Sequence, residues 1–274
     1  MKRILVPTDF SDHAEYALKV AAKIAKSNNA ELMILNLLDL PTHMNDAVSS
    51  GVNIPEVMLF LNKTNERLED LAEADYLDDI KVSTVAKIEK AFEGIVSYSK
   101  AHDVDLIVMG SHGQSGIQDM FIGSNTEKIV RASDIPVLVI KSDDDSFDTR
   151  NIVFASDFSK EITKPFEKLV KLAKVFGSHL HLVMINTPNS FKSNLVAEKL
   201  MADFVNGYNL ENFSTHIYND TNVEKGVLNF AEKVNADLIA VCTHGRTTFA
   251  HFFVGSISEG VMNHAARPVL TFRI

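Results

Sequence analysis

Ile4-Leu5-Val6-Pro7-Thr8-Asp9-Phe10-Ser11 returns, lightly altered, as Ile152-Val153-Phe154-Ala155-Ser156-Asp157-Phe158-Ser159, 148 residues later. The next apolar runs, Leu32–Leu37 and Leu180–Ile185, keep that offset. Further along the matches stand 132 apart: Gly94 with Gly226, Asp105-Leu106-Ile107 with Asp237-Leu238-Ile239, and Gly113 with Gly245. Gly123-Ser124 with Gly255-Ser256 and Pro136-Val137-Leu138 with Pro268-Val269-Leu270 share that spacing. Landmarks held in register over most of a chain mark an internal duplication. The drop from 148 to 132 places 16 extra residues in the first half before Gly94, around Pro41 to Leu68. The repeat divides the chain into domains over 1–141 and 148–274, joined by the acidic stretch Ser142-Asp143-Asp144-Asp145-Ser146.

Each copy alternates short apolar runs with stretches of helical period. Ile4–Val6 and Leu32–Leu37 are unbroken apolar runs (Asn36 apart), as strands buried on both faces are. Between them Ala17, Leu18, Ala21, Ile24 and Ala25 recur at helical spacing, with Ser11 as the expected N-cap. A weaker strand near Val82–Ala86, a helix near Glu93–Ala101, the strand Leu106–Met109, a helix from about Ser124 and the strand Val137–Ile140 complete the series. The order β-α-β-α-β-α-β-α-β with right-handed crossovers predicts two tandem α/β domains, each an open five-stranded parallel sheet with helices on both faces. Ligands of such sheets bind beyond the carboxyl ends of the strands where strand order reverses, which nominates the loops after Val6 and Met109. In the second half Pro165 stands where the first has Ala17, so its first helix should begin late, capped by Thr163 or Lys164.

Composition narrows the function classes. Hydrophobic residues make up 46% and charged residues 23% of 274, a globular balance. The net charge of −9 argues against a nucleic-acid groove or a polybasic membrane anchor. No apolar run nears the ~18 residues that span a bilayer. Cys242 is the single cysteine, which excludes an intrachain disulfide and suits a reducing cytoplasm.

Chemistry concentrates after the fourth strand, in Met109-Gly110-Ser111-His112-Gly113 followed nine residues later by Gly123-Ser124-Asn125-Thr126-Glu127. Glycines let backbone amides approach an anion, and the helix opened by Gly123-Ser124 adds unpaired amides and a favourable dipole. Hydroxyls of Ser124 or Thr126 can add hydrogen bonds, and Asp9 can accept from ribose hydroxyls or coordinate Mg2+. A second reading stands beside it: Ser124-Asn125-Thr126-Glu127 is also a capping box that needs no ligand.

The pattern Gly-x2-Gly-x9-Gly-Ser, with Pro-Thr-Asp-Phe-Ser after the first strand, resembles the universal stress protein family in its ATP-binding class. The resemblance covers both halves. It implies that Gly110, Gly113, Gly123 and Ser124 contact the triphosphate of ATP, with Asn125 and Thr126 alongside. Asp9 would meet the ribose, and Pro7, Thr8, Leu37 and Met109 would border the adenosine end. It further implies a cytoplasmic stress-response protein in which adenine nucleotide is a regulatory ligand. The two halves would form an intrachain pseudo-dimer through Val137–Ile140 and Val269–Phe272, and a homodimer of such chains is compatible with it. The rival function is a nucleotide-independent scaffold or small-ligand carrier.

The second half departs from the pattern. Cys242 replaces the first glycine and Ala155 replaces Pro7, so a side chain at 242 is expected to crowd the phosphate path and leave weak binding, a smaller anion or nothing. Cys242 is read as a buried inert thiol, His112 and His244 as loop histidines packed on backbone, and the bulges Met120-Phe121-Ile122 and His251-Phe252-Phe253 as packing elements. The segment Met44–Leu61 is left as a lid or a dimer surface. Neither a Gly-x-x-x-x-Gly-Lys-Ser/Thr loop nor a dinucleotide glycine fingerprint occurs, and no dedicated general base is assignable; ATP hydrolysis is expected to be at most slow and incidental.

Overall fold

The computed structural model describes residues 1–40, 55–113, 122–144, 146–243 and 254–274. The first half runs β1 (Arg3–Pro7), α1 (Asp12–Asn28), β2 (Glu31–Leu38), α2 (Pro55–Ala72), β3 (Val82–Ile88), α3 (Ala91–Ala101), β4 (Leu106–Gly110), α4 (Ser124–Ala132) and β5 (Val137–Ile140). The second runs β6 (Asn151–Ala155), α5 (Thr163–Phe176), β7 (His179–Asn186), α6 (Asn194–Val205), β8 (Phe213–Asn219), α7 (Val223–Lys233), β9 (Leu238–Thr243), α8 (Val254–His264) and β10 (Val269–Arg273).

The described residues fall into two compact units. One holds 1–40, 55–113, 123–129 and 139–143; the other holds 122, 130–138, 144, 146–243 and 254–274. Inside the second unit Thr271 Oγ1 donates to Val137 O and Arg273 Nη1 to Ala132 O. Strand order is β3-β2-β1-β4-β5 in the first half and β8-β7-β6-β9-β10 in the second. Each is a parallel α/β sheet whose order reverses beside its first strand.

Register repeats with the sequence. Ile4 lies opposite Leu32 and Leu106, and Ile152 opposite Leu180 and Leu238. The third strands sharpen the sequence alignment: Leu32 faces Val82 while Leu180 faces Phe213, an offset of 131 where Gly94 and Gly226 stand 132 apart. The second half therefore carries one extra residue in the turn before α7. Part of the first half's extra length is helix, because α2 has 18 residues and α6 has 12. Residues 41–54, between β2 and α2, lie outside the described residues, and with them most of the expected lid segment.

Buried apolar strands explain why the sheets form. Ile4, Leu5, Val6, Leu106, Ile107 and Val108 are all 0% exposed, as strands covered on both faces must be. Side-chain-free contacts bring the helices close. A Cβ on Gly94 would lie 2.7 Å from Leu37 Cδ1, and one on Gly226 would lie 2.4 Å from Ile185 Cγ2, so α3 and α7 sit in the same way on the second strands.

The helix after the first strand differs between halves. Ser11 caps α1, accepting from Ala14 N at 3.3 Å, which is worth about 1 kcal/mol. In the second half a 3-10 turn over Lys160–Ile162 takes the place of that first turn, and α5 starts at Thr163 with Pro165 in its first turn. The late start matches the sequence reading, but the cap is Ile162 and not Thr163 or Lys164. Thr163 Oγ1 instead donates back to Lys160 O at 2.8 Å, so its hydroxyl serves the preceding turn.

Candidate functional site

Where strand order reverses in the first unit, a cleft of about 170 Å³ opens beyond the ends of β1, β2 and β4. All eleven residues nominated from sequence line it: Pro7, Thr8, Asp9, Leu37, Met109, Gly110, Gly113, Gly123, Ser124, Asn125 and Thr126. Four separate segments of chain meet there. Ala14, Leu35, Ala91, Ile95 and His112 line it as well. The periodicity of α3 carried a signal for Ala91 and Ile95, because they lie one helical turn apart on the face that Gly94 presses against the sheet.

The turn after β1 is strained and fastened. Phe10 has φ 62°, a backbone conformation that bulky L residues avoid. Thr8 Oγ1 accepts from Phe10 N at 3.0 Å, and Asp9 Oδ1 accepts from Ser11 N at 3.1 Å and from Ser11 Oγ at 2.6 Å. The Arg67 guanidinium lies 3.9 Å from the centre of the Phe10 ring. These bonds fix the Asp9 carboxylate at the cleft mouth.

The glycines divide by cause. A Cβ on Gly110 would lie 2.6 Å from His13 O and 2.7 Å from His13 C, so α1 alone forbids a side chain there. On Gly113 it would lie 2.5 Å from Asp9 Oδ2, so that glycine lets loop and carboxylate meet. At Gly123 the nearest atom is Ser111 O at 3.4 Å, an ordinary contact. Yet the Gly123 amide donates to Ser111 O at 2.7 Å and is already used.

At the start of α4, Glu127 N donates to Gly123 O at 3.0 Å, so Gly123 holds the place before the helix and Ser124 is its first residue. The capping box with Ser124 as cap is therefore not the arrangement found. Ser124 and Asn125 are exposed at the cleft, and a helix leaves its first amides unpaired, here those of Ser124, Asn125 and Thr126. The Thr126 hydroxyl is buried and donates to Gly110 O at 2.9 Å, tying α4 to the end of β4; its proton is not available to an anion.

For His112 the sequence predicts a loop histidine packed on backbone. Its Nδ1 meets Ser111 Oγ at 2.9 Å and its ring stands edge-on to His13, with centroids 5.2 Å apart. Among the described residues its Nε2 is buried with no hydrogen-bond partner. An orphaned ring nitrogen beside unpaired helix amides and a cradle that a Cβ would fill fits an anionic ligand.

The second unit has the matching cleft, larger at about 480 Å³. Its opening turn is the same: Phe158 has φ 57°, Ser156 Oγ accepts from Phe158 N at 2.9 Å and Asp157 Oδ1 from Ser159 N at 3.0 Å. Cys242 lines this cleft. A Cβ on the matching Gly110 would meet His13, whose counterpart in the second half, Glu161, lies in the 3-10 turn ahead of α5. Burial pushes the Cys242 thiol up to about 12, helped by the Asp157 carboxylate, so it is an inert neutral thiol at cellular pH. His244, Gly245, Met120, Phe121 and the bulge His251-Phe252-Phe253 lie outside the described residues. Among the described residues no helix is long and apolar enough to cross a membrane.

The universal stress protein family matches residues 1–141 and again residues 148–273. A universal stress protein of Synechocystis is 26% identical over 300 aligned positions that span all of both chains. One from Methanocaldococcus jannaschii is 32% identical over 154 residues, covering 51% of this chain and 94% of its own. Among solved structures, a universal stress protein of Archaeoglobus fulgidus superposes with a TM-score of 0.74 at 23% identity, over 99% of this chain and 98% of its own.

Proposed function

The chain belongs to the universal stress protein family, and from that premise we propose that its first half binds ATP, or a close adenine nucleotide, as a regulatory ligand. The observation that carries the reading is convergence: eleven residues chosen from sequence in four separate segments line one cleft at the switch point of the sheet. Pro7, Thr8, Leu37 and Met109 border the adenosine end, and Asp9 accepts from ribose hydroxyls or holds Mg2+. The triphosphate lies along Gly110, Gly113, Gly123 and the opening amides of Ser124, Asn125 and Thr126, with His112 Nε2 as a further partner.

Binding without turnover is the companion reading. The Asp9 carboxylate is already held by Ser11 N and Oγ, which suits an acceptor more than a general base. The lone cysteine and the charge of −9 support a cytoplasmic setting for such a protein.

A thermal-shift titration with ATP, ADP, AMP and adenosine tests the reading. ATP should raise Tm most, because each phosphate adds charge-assisted bonds to main-chain amides. No shift with ATP, or an equal shift with ATP and adenosine, overturns it. ATP hydrolysis at a rate that disappears in Asp9→Ala would overturn the non-enzymatic part. The scaffold reading draws on Phe191, Leu195 and Val196, which are exposed before and at the start of α6, and it predicts no shift with any adenine nucleotide.

A further inference from the structure

We propose that Arg67, on α2, is a positioning residue for the first cleft: its guanidinium clamps the ring of Phe10 and so holds the turn that presents Asp9. The role at the cleft rests on the nucleotide reading above, whereas the clamp does not, and the two can fail separately.

The turn needs a clamp. Phenylalanine at φ 62° sits in the left-handed region that its Cβ disfavours, so the backbone relaxes unless something outside the turn holds it. Ser11 N follows the Phe10 backbone. A relaxation at Phe10 therefore breaks the bond from Ser11 N to Asp9 Oδ1 and lets the carboxylate swing.

The two halves hold the same turn with different side chains. In the second, Phe158 has φ 57° but is only 5% exposed, and its ring packs edge-on against Phe204 with centroids 5.5 Å apart. Phe204 packs in turn on Phe166 and Tyr208, so an aromatic core holds that turn. In the first half Phe10 is only partly buried and lines a cavity of about 350 Å³ with Glu15, Leu18, Asp70 and Leu71. Among the described residues no aromatic ring packs against Phe10; the Arg67 guanidinium lies over its ring instead, 3.9 Å from the centre.

Arg67 is placed for this work. Thr64 and Leu68, 8% and 1% exposed, anchor α2 on either side of it, so the base of the side chain is fixed while its tip reaches the ring. Among the described residues Arg67 joins no ion pair, and Glu15, which lines the same cavity, is paired with Lys19 at 3.5 Å. A cation over an aromatic face is drawn to the ring's negative centre, which makes the guanidinium the first half's substitute for the aromatic core of the second.

Arg67→Met keeps the apolar stem and removes the cation. In the ligand-free protein it should speed hydrogen exchange at the Ser11 amide about fivefold, and leave the Ser159 amide of the second turn unchanged. The native protein should bind ATP at least about tenfold more tightly than 2′,3′-dideoxy-ATP, because Asp9 meets the ribose hydroxyls. Arg67→Met should narrow that preference about fivefold, whereas a general loss of stability would weaken both nucleotides alike. Glycine accepts a positive φ and offers no ring, so adding Arg67→Met to Phe10→Gly should change neither Ser11 exchange nor the preference. Unchanged Ser11 exchange in Arg67→Met, equal acceleration at Ser159, an unchanged ATP preference, or a further effect beside Phe10→Gly each overturns the proposal. A native protein that binds neither nucleotide sinks the reading of the first cleft, and exchange at Ser11 then decides by itself whether the clamp stands.

Discussion

At the mouth of the first strand both halves make the same turn, with Phe10 and Phe158 at φ 62° and 57° and the same side-chain bonds behind them. A few ångströms further into each cleft the likeness ends. The first cleft is narrow, bordered by glycines and by the exposed start of α4. The second is wider, with Cys242 and Ile257 at the corresponding places. The turn is held by contacts within the chain and can stay the same whatever the cleft holds. The residues that differ are those whose internal contacts leave them free to answer to a ligand. Gly110 complicates this division, because α1 would forbid a side chain there with no ligand at all.

That contrast can be broken by experiment. The largest effect concerns Cys242: with its thiol raised from 9.0 to about 12, its thiolate is about a thousandfold scarcer at neutral pH than in the unfolded chain. Iodoacetamide at pH 8 should therefore label it far faster in urea than in buffer. Comparable rates would mean an open, reactive thiol and remove the inert reading.

Exchanging the two residues at the matched position should cost unequally. Gly110→Cys places a side chain against the backbone of His13 and should destabilise by about 3 kcal/mol. Cys242→Gly leaves the wider cleft intact and should cost only about 1 kcal/mol. Urea melts of the two variants decide it; equal losses would mean that the late start of α5 does not explain the cysteine. Between these in size lies Gly113→Val, whose side chain meets Asp9 Oδ2. ATP affinity should fall at least about 100-fold with the circular dichroism spectrum unchanged, and undiminished binding would remove the cleft from contention.

The smallest effect is one of pH and belongs to the second half alone. His181 on β7 packs with His179 and His216 around Ser214 Oγ. Burial, then the neighbouring His179 and His216, lower it from 6.5 to about 4. The unfolded chain takes up a proton at this residue near pH 6.5, while the folded chain does so only near 4. Stability should thus fall as pH drops through that window, modestly because the ring is partly exposed. His181→Gln should flatten the slope of urea midpoint against pH; an unchanged slope would refute the assignment.

Much of the first cleft was legible because its residues sit at fixed distances from strand ends, and strand ends are visible as apolar runs. His112 was less so. Its role depends on how the loop after β4 lies over the sheet, which spacing does not encode. The late start of α5 could be read from Pro165, since a ring without an N–H acts locally. Its consequence at position 242 could not, because Glu161 and Cys242 are 81 residues apart in sequence and meet the same cleft only in space.

Sequence by itself determined the duplication, the parallel α/β class and the two loops that meet in the first cleft, because periodicity, turn chemistry and repeat register are local properties of a chain; the full set of eleven residues came with the family resemblance. Only tertiary structure decided which amides and hydroxyls at that cleft are already spent, as at Gly123 and Thr126, and that the matching cysteine of the second half is a buried thiol lining a cleft. Those outcomes depend on distances between atoms far apart in the chain, which close packing sets.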